Sequence, residues 1–325
     1  MTSPRLVVLG GALLLLAACG GGGATTRPST AASSAPSTAA STAPSTAPST
    51  APSSAPSAAA GEAVCDNQPA EAAGDLLETI CNAGELRMAT DPAYPPQSEL
   101  TSEGEYQGFD ISVGQEIADR LGVELAFETP AWEVLTAGSW QERWDISVGS
   151  MTITTEREEA LDFTQPYYYN PAQLAVRDGS GITDIAGLAG KVICVGEDTT
   201  YLQWLEGTLD LGSDVQLPEV PEGATATTLP TDRDCAEAWR AGREEFDGWM
   251  ASAPTIADAV ADGLPVIPLE PTAFNEQLAA ALDQSGPDHD QLLEALNSIL
   301  ADMHTDGTLT SFSEEWLGSD LTNPL

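Results

Sequence analysis

Twice along the chain, short apolar runs of strand length alternate with segments whose apolar residues recur at helical spacing. Strands interleaved with helices build sheets with helices against their faces, so this alternation restricts the fold to the α/β class. The first series opens with Glu85-Leu86-Arg87-Met88-Ala89, read as a strand. Ile111, Val113, Ile117 and Leu121 then share one face of a helix predicted over 111–121, with Asp110 as its N-cap. Strands are predicted over 123–127 and 145–148. The second series predicts a strand over 191–195, a helix over 201–206, a strand over 215–217, a helix over 232–241 and a strand over 246–250. A long helix over 288–303, with Leu292, Leu296, Ile299 and Met303 facing one way, and a shorter one over 309–317 close the chain. The pattern predicts two α/β units.

These units occupy residues 62–325 only. The chain starts MTSPRLVVLGGALLLLAACG, with one charge at Arg5 followed by an apolar run from Leu6 to Ala18. Such a run is short for a bilayer span and has the length of a secretory core. Leu16-Ala17-Ala18-Cys19 resembles a bacterial lipobox, which makes residues 1–18 a signal peptide and Cys19 a lipidated N-terminus. Several acyl chains anchor stably where a single chain is marginal. The alternative is an ordinary secretory peptide with an incidental cysteine. Behind Cys19 lie GGGG and then STAPSTAPSTAPSSAPSAAA, without apolar periodicity. Residues 19–61 are therefore expected to be an anchor and a disordered Ala/Pro/Ser/Thr-rich linker. Regular prolines bias it toward polyproline II at ~3.1 Å per residue, so it would reach roughly 100 Å.

The chain carries 50 Asp+Glu against 11 Lys+Arg, a formal charge of −39. That balance argues against nucleic acid and against an anionic membrane surface as partners. Export implies an oxidising compartment, and four cysteines remain after Cys19: Cys65, Cys81, Cys194 and Cys235. Three pairings are open; the local one, Cys65–Cys81 with Cys194–Cys235, keeps each bridge within one region and is the one expected. No CxxC occurs and the histidines are His289 and His304, so no metal site is expected. No cofactor is expected either.

From Glu85 to Leu317 the chain carries LRMATDPAYPP (86–96), YQGFDISVGQEIADRLGV (106–123), WDISVGSMTITTERE (144–158), LDFTQPYY (161–168), LAGKVICVGEDTT (188–200), FDGWMASAPT (246–255) and HTDGTLTSFSEEWLG (304–318). In this order the segments resemble bacterial extracellular solute-binding proteins of family 3, the receptors of polar amino-acid ABC transporters. The resemblance implies a two-lobed periplasmic-binding-protein-like fold of type II, with a hinge between lobes that trap a ligand. The chain would cross near Gln173–Val176 and return near Pro271–Gln277. Lobe I would then be 62–173 plus 275–325, and lobe II 174–274. An open α/β sheet also binds ligands at the carboxyl ends of its strands on general grounds.

The resemblance also implies a site. Arg157 matches a carboxylate-binding arginine, whose planar fork makes two parallel charge-assisted bonds that lysine cannot reproduce. Ser150 and Thr152 match positions that add donors beside it. The competing reading pairs Arg157 with Glu156, Glu158 or Glu159 on a solvated helix. Thr199 and Thr200, between a strand and a helix start, would offer backbone N–H groups to the same carboxylate; simple N-capping is the alternative. Asp198 stands where the family often has glycine. Tyr94 and Trp132 match aromatic walls, Asp91 a position that in some relatives meets a basic side chain, and Gln97 a position usually aromatic. Ser252 stands where relatives that bind α-amino acids carry an acid for the α-ammonium group; Asp198, Glu197 or Asp91 could replace that acid.

The implied function is a lipid-anchored, monomeric receptor on the extracytoplasmic face, without catalysis. It would deliver an amino acid or related carboxylate to an ABC permease and its ATPase. Two other classes are a ligand-sensing module and an exported dehydratase-like enzyme, the latter needing a positioned acid or base in the cleft.

Overall fold

The computed structural model describes residues 62–212 and 215–324; the predicted signal segment, Cys19 and the linker lie outside them. Helix α1 (Leu76–Ala83) leads into β1 (Glu85–Ala89), and a small sheet of β2 (Ala93–Tyr94), β3 (Ser98–Leu100) and β4 (Tyr106–Gln107) follows. Then come α2 (Phe109–Leu121), β5 (Glu124–Glu128), α3 (Trp132–Thr136), β6 (Ile146–Thr152) and β7 (Leu161–Phe163). Strand β8 (Tyr168–Arg177) leaves this lobe. The second lobe holds β9 (Val192–Gly196), α4 (Thr200–Glu206), β10 (Thr225–Leu229), α5 (Asp232–Arg240), β11 (Gly248–Ser252), α6 (Ala253–Ala261) and β12 (Val266–Pro268). Strand β13 (Phe274–Asp283) returns, and α7 (Asp290–Thr305) and α8 (Thr308–Leu317) finish the first lobe.

One continuous sheet runs β10-β9-β11-β8-β13-β6-β1-β5, with β12 on β8 and β7 on β13. Its flanks are parallel, β1 with β5 and β6 in one lobe, β9 with β10 and β11 in the other. Its centre is antiparallel, where β8 and β13 pair with each other from Ala172↔Phe274 to Tyr168↔Leu278. The two lobes thus share the pair of strands on which they are hinged.

Period-two alternation explains why each lobe has a core on both faces of its sheet. In β1, Leu86 and Met88 join a core with Ile80, Phe109, Ile117, Leu121, Leu296 and Leu300, while Ala89 faces a second cluster of Leu135, Trp140, Trp144 and Met151. In β9, Ile193 and Val195 pack with Tyr201 and Trp204, and the intervening Cys194 packs with Cys235, Trp239, Trp249 and Ile256. Each such aliphatic or aromatic side chain contributes about 1.5–3 kcal/mol by its burial. The structure joins Cys65 to Cys81 (Cα–Cα 5.2 Å) and Cys194 to Cys235 (Cα–Cα 5.9 Å). The second bridge ties β9 to α5, the two elements that flank the site described below.

Two expectations need correction. No strand forms over 215–217; the segment is irregular, held by the Trp204 indole N–H donating to the Pro218 carbonyl at 3.0 Å, and Leu217 packs as loose cover on the core. The edge strand is instead β10, whose Thr225-Ala226-Thr227-Thr228-Leu229 pairs in parallel with β9. Likewise Asp110 does not cap α2. The N-cap is Gly108, whose φ of 124° and whose approach to the Pro96 and Gln97 carbonyls leave no room for a Cβ. Asp110 lies inside the first turn and is fully buried, accepting from Tyr167 Oη and Ser150 Oγ at 2.7 Å each.

Candidate functional site

Between the lobes, against the shared strands, lies a cavity of about 60 Å³. At ~10–15 Å³ per water this holds about four to six waters. Its wall includes Asp91, Tyr94, Trp132, Ser150, Thr152, Arg157, Thr199 and Thr200, eight of the ten positions read from the sequence. It also includes Asn170, Glu197, Tyr201, Asp232 and Glu276.

Arg157 begins a short 3-10 turn (Arg157–Glu159) just beyond β6 and is only 5% exposed. Its Nη1 donates to the Thr152 carbonyl at 2.9 Å and its Nη2 to the Asp198 carbonyl at 3.2 Å; its Cζ stands 5.4 Å from the Trp132 ring centroid. Among the described residues it makes no ion pair, and Glu158 and Glu159 face solvent. Burial pulls its pKa down to about 10, opposed by the field of Glu276, so the guanidinium stays protonated at neutral pH. Among the described residues, three of its five N–H donors have no acceptor.

The hydroxyls are engaged elsewhere than the sequence implied. Thr152 Oγ1 donates to Glu276 Oε1 at 2.7 Å, and Thr200 Oγ1 donates to the same oxygen. Ser150, at a φ of 54° within β6, donates its Oγ to Asp110 and receives Tyr168 Oη, both at 2.7 Å. Thr199 caps α4, its Oγ1 accepting from Leu202 N at 3.3 Å and donating to the Gly196 carbonyl. Asp198 contributes its backbone rather than its side chain. With a φ of 54°, it turns a carbonyl toward the first lobe, where both Arg157 and the Trp132 indole N–H donate to it at 3.2 Å.

Ser252 does not reach the wall. It is fully buried at the start of α6, where its Oγ accepts from Thr255 N at 3.1 Å and from Gln97 Nε2 at 2.8 Å. Gln97 Oε1 in turn accepts from Thr255 Oγ1 at 3.2 Å. Gln97 and Ser252, two positions at which the sequence departs from the family pattern, are therefore partners across the lobes.

Of the acids that reach the wall, Asp91 and Glu197 were read from the sequence, whereas Glu276 and Asp232 escaped it. Glu276 on β13 receives Thr152 from the first lobe, Thr200 and Tyr201 (3.0 Å) from the second, and Asn170 Nδ2 (3.1 Å) from β8. Asp232, the first residue of α5, takes the Gly196 N–H on Oδ1 at 2.6 Å. Burial, with the nearby Glu276 and Asp91 charges adding to it, pushes the Asp232 carboxyl up to about 8. Asp91 is also pushed up by burial. No local signal marks Glu276, because Asn275 and Gln277 flank it and the segment Phe274-Asn275-Glu276-Gln277-Leu278 reads as polar.

The profile of the bacterial extracellular solute-binding proteins, family 3, matches residues 86–319. The L-cystine-binding protein TcyJ of Escherichia coli (strain K12) is 28% identical over 249 residues, 76% of this chain and 88% of that protein. The ABC transporter arginine-binding protein 1 of the same strain is 26% identical over 244 residues, 72% of this chain and 91% of that protein. Among solved structures, the ancestral amino acid-binding protein AncCDT-1, a precursor of cyclohexadienyl dehydratase, superposes with a TM-score of 0.64 at 26% identity. That superposition covers 75% of this chain and all of the other. With its two lobes joined by paired strands and a cavity between them, this chain belongs to the bacterial extracellular solute-binding proteins, family 3.

Proposed function

We propose that the chain is the lipid-anchored, extracytoplasmic receptor of an ABC importer, and that it traps a small carboxylate-bearing solute, an amino acid or close analogue, on Arg157. The observation that carries this reading is a buried guanidinium on the cavity wall with donors to spare and no ion pair. A buried charge without a counter-ion is unfavourable by several kcal/mol, so the position makes sense when a ligand brings the anion. The cystine- and arginine-binding relatives support an amino acid as the class of solute. Residues 1–18 would direct export and Cys19 would hold the chain at the membrane, with the linker giving it reach toward a permease and its ATPase. The lobe division at 173/174 and 274/275 would put the hinge in β8 and β13.

A thermal-shift screen of the full chain against amino acids, amines, dicarboxylates and betaines tests this. A solute at 100 times its Kd stabilises the native state by about 2.7 kcal/mol. Hits are expected to share a carboxylate, and Arg157→Ala is expected to abolish their binding in calorimetry while leaving the unliganded melting point near its original value. Binding that survives this substitution would overturn the assignment.

One observation favours a second reading, a dehydratase-like enzyme: Asp232, with its carboxyl pushed up to about 8, is protonated at neutral pH in the cavity and could serve as a general acid. The two readings separate on whether bound solute is returned chemically unchanged.

A further inference from the structure

Some contacts between the lobes belong to the site itself. Arg157 and Trp132 reach the Asp198 carbonyl, and Thr152 and Thr200 meet on Glu276 at the cavity wall. Another, Gln203 Nε2 donating to Glu156 Oε2 at 2.7 Å, is exposed, so water competes for both partners and little net stability follows. The contact among Gln97, Ser252 and Thr255 is of neither kind. All three residues are fully buried, and none of them lines the cavity.

Their hydrogen bonds close a ring that crosses from one lobe to the other. Gln97 Nε2 donates to Ser252 Oγ at 2.8 Å, Ser252 Oγ to Thr255 Oγ1 at 2.7 Å, and Thr255 Oγ1 back to Gln97 Oε1 at 3.2 Å. Ser252 Oγ also accepts from Thr255 N, so its proton and both lone pairs are in use. Bonds that run head to tail polarise one another, and inside a buried ring no water competes with them. Both ends of the contact are held in place. The Gln97 carbonyl accepts from Asp110 N at 2.8 Å and the Pro96 carbonyl from Phe109 N at 3.2 Å, which pins the loop to α2. Ser252 and Thr255 are fixed in the first turn of α6. Parting the lobes therefore breaks both bonds of Gln97 instead of dragging them along.

We propose that Gln97, acting through Ser252 and Thr255, is a positioning residue for closure. The ring holds the lobes together and so governs how long a solute stays enclosed, without touching it. The consequence for a solute rests on the receptor reading above; the closure itself does not.

Hydrogen exchange on the full chain, without solute, tests the closure. The Thr155 N–H donates to the Asp210 carbonyl of the second lobe at 3.2 Å and is the reporter, since exchange at such an amide follows the opening equilibrium. Gln97→Met keeps a similar length without donor or acceptor, and Thr255→Val keeps a similar shape without the hydroxyl. Each is expected to speed exchange at Thr155 about 10-fold, the factor for one or two net buried hydrogen bonds, while exchange in β1 and β9 stays unchanged. The double variant should gain less than the product of the two single effects, because both break one ring. Unchanged exchange at Thr155 in both variants, or an equal rise in β1 and β9, would overturn the proposal. A second arm follows dissociation of L-cystine and L-arginine as probes by stopped flow. A probe that binds is expected to leave Gln97→Met about 10-fold faster, by the same factor for each, because the ring touches neither. An unchanged rate, or a factor specific to one probe, would overturn the role in enclosure. If neither probe binds while exchange responds as expected, the closure stands and the receptor reading is what loses support.

Discussion

Replacing Glu276 in two ways separates a carboxylate that fills space from one that fastens the lobes together. In Glu276→Ala, four donors lose their acceptor: Thr152 Oγ1, Thr200 Oγ1, Tyr201 Oη and Asn170 Nδ2. An unsatisfied buried donor costs about 1–3 kcal/mol. Water entering the neighbouring cavity of about 60 Å³ will serve some of them, so the expected loss is about 3–5 kcal/mol rather than the full sum. In Glu276→Gln the new amide can turn its NH2 toward the two threonine hydroxyls, which rotate to accept. Its oxygen then stays with Asn170 and Tyr201, so the network closes again and only the charge is lost. That loss should stay below about 1.5 kcal/mol. At roughly 2–4 °C per kcal/mol for a protein of this size, the unliganded alanine variant should melt about 6–20 °C lower and the glutamine variant no more than about 6 °C lower. Denaturant titration at constant slope checks the same difference as a shift in midpoint. Equal melting points for the two variants would refute the fastening role.

Asp110 and the disulfides give two further expectations. Burial holds the Asp110 carboxyl up at about 7 against 3.8 when unfolded, so the folded chain binds the extra proton between these values. Stability should therefore fall as pH rises from about 4 to about 7, and Asp110→Asn should flatten that slope by up to on the order of 4 kcal/mol. Denaturation midpoints across that range decide it, and an unchanged slope counts against a neutral Asp110. The Cys194–Cys235 bridge spans 41 residues and Cys65–Cys81 spans 16. The chain-entropy model then assigns about 4 and about 3 kcal/mol respectively, so the double serine variant of the longer loop should show the larger loss in chemical denaturation.

What could be read from the sequence was whatever local pattern determines. Glu85–Ala89 forms a strand as read, because its alternation matches a sheet with a core on each face. Arg157 is singled out by the register of its segment with the family, and it lines the cavity. The misreadings arose where distant partners decide. Asp110 looks like a cap until Ser150 and Tyr167, 40 and 57 residues away, claim its carboxylate. The apolar run at 215–217 looks like a strand, whereas the true edge strand is threonine-rich and carries no such run. Glu276 draws its donors from 75 to 124 residues away, so no window of sequence contains its role.

The contact at Asp198 constrains which residues that position accepts. Two side chains of one lobe meet the other through a peptide carbonyl, at a residue whose backbone is left-handed. Residues that tolerate that conformation, glycine and asparagine above all, can replace the aspartate without touching the contact. A position that looks freely variable in side-chain chemistry is thus constrained by its backbone torsion.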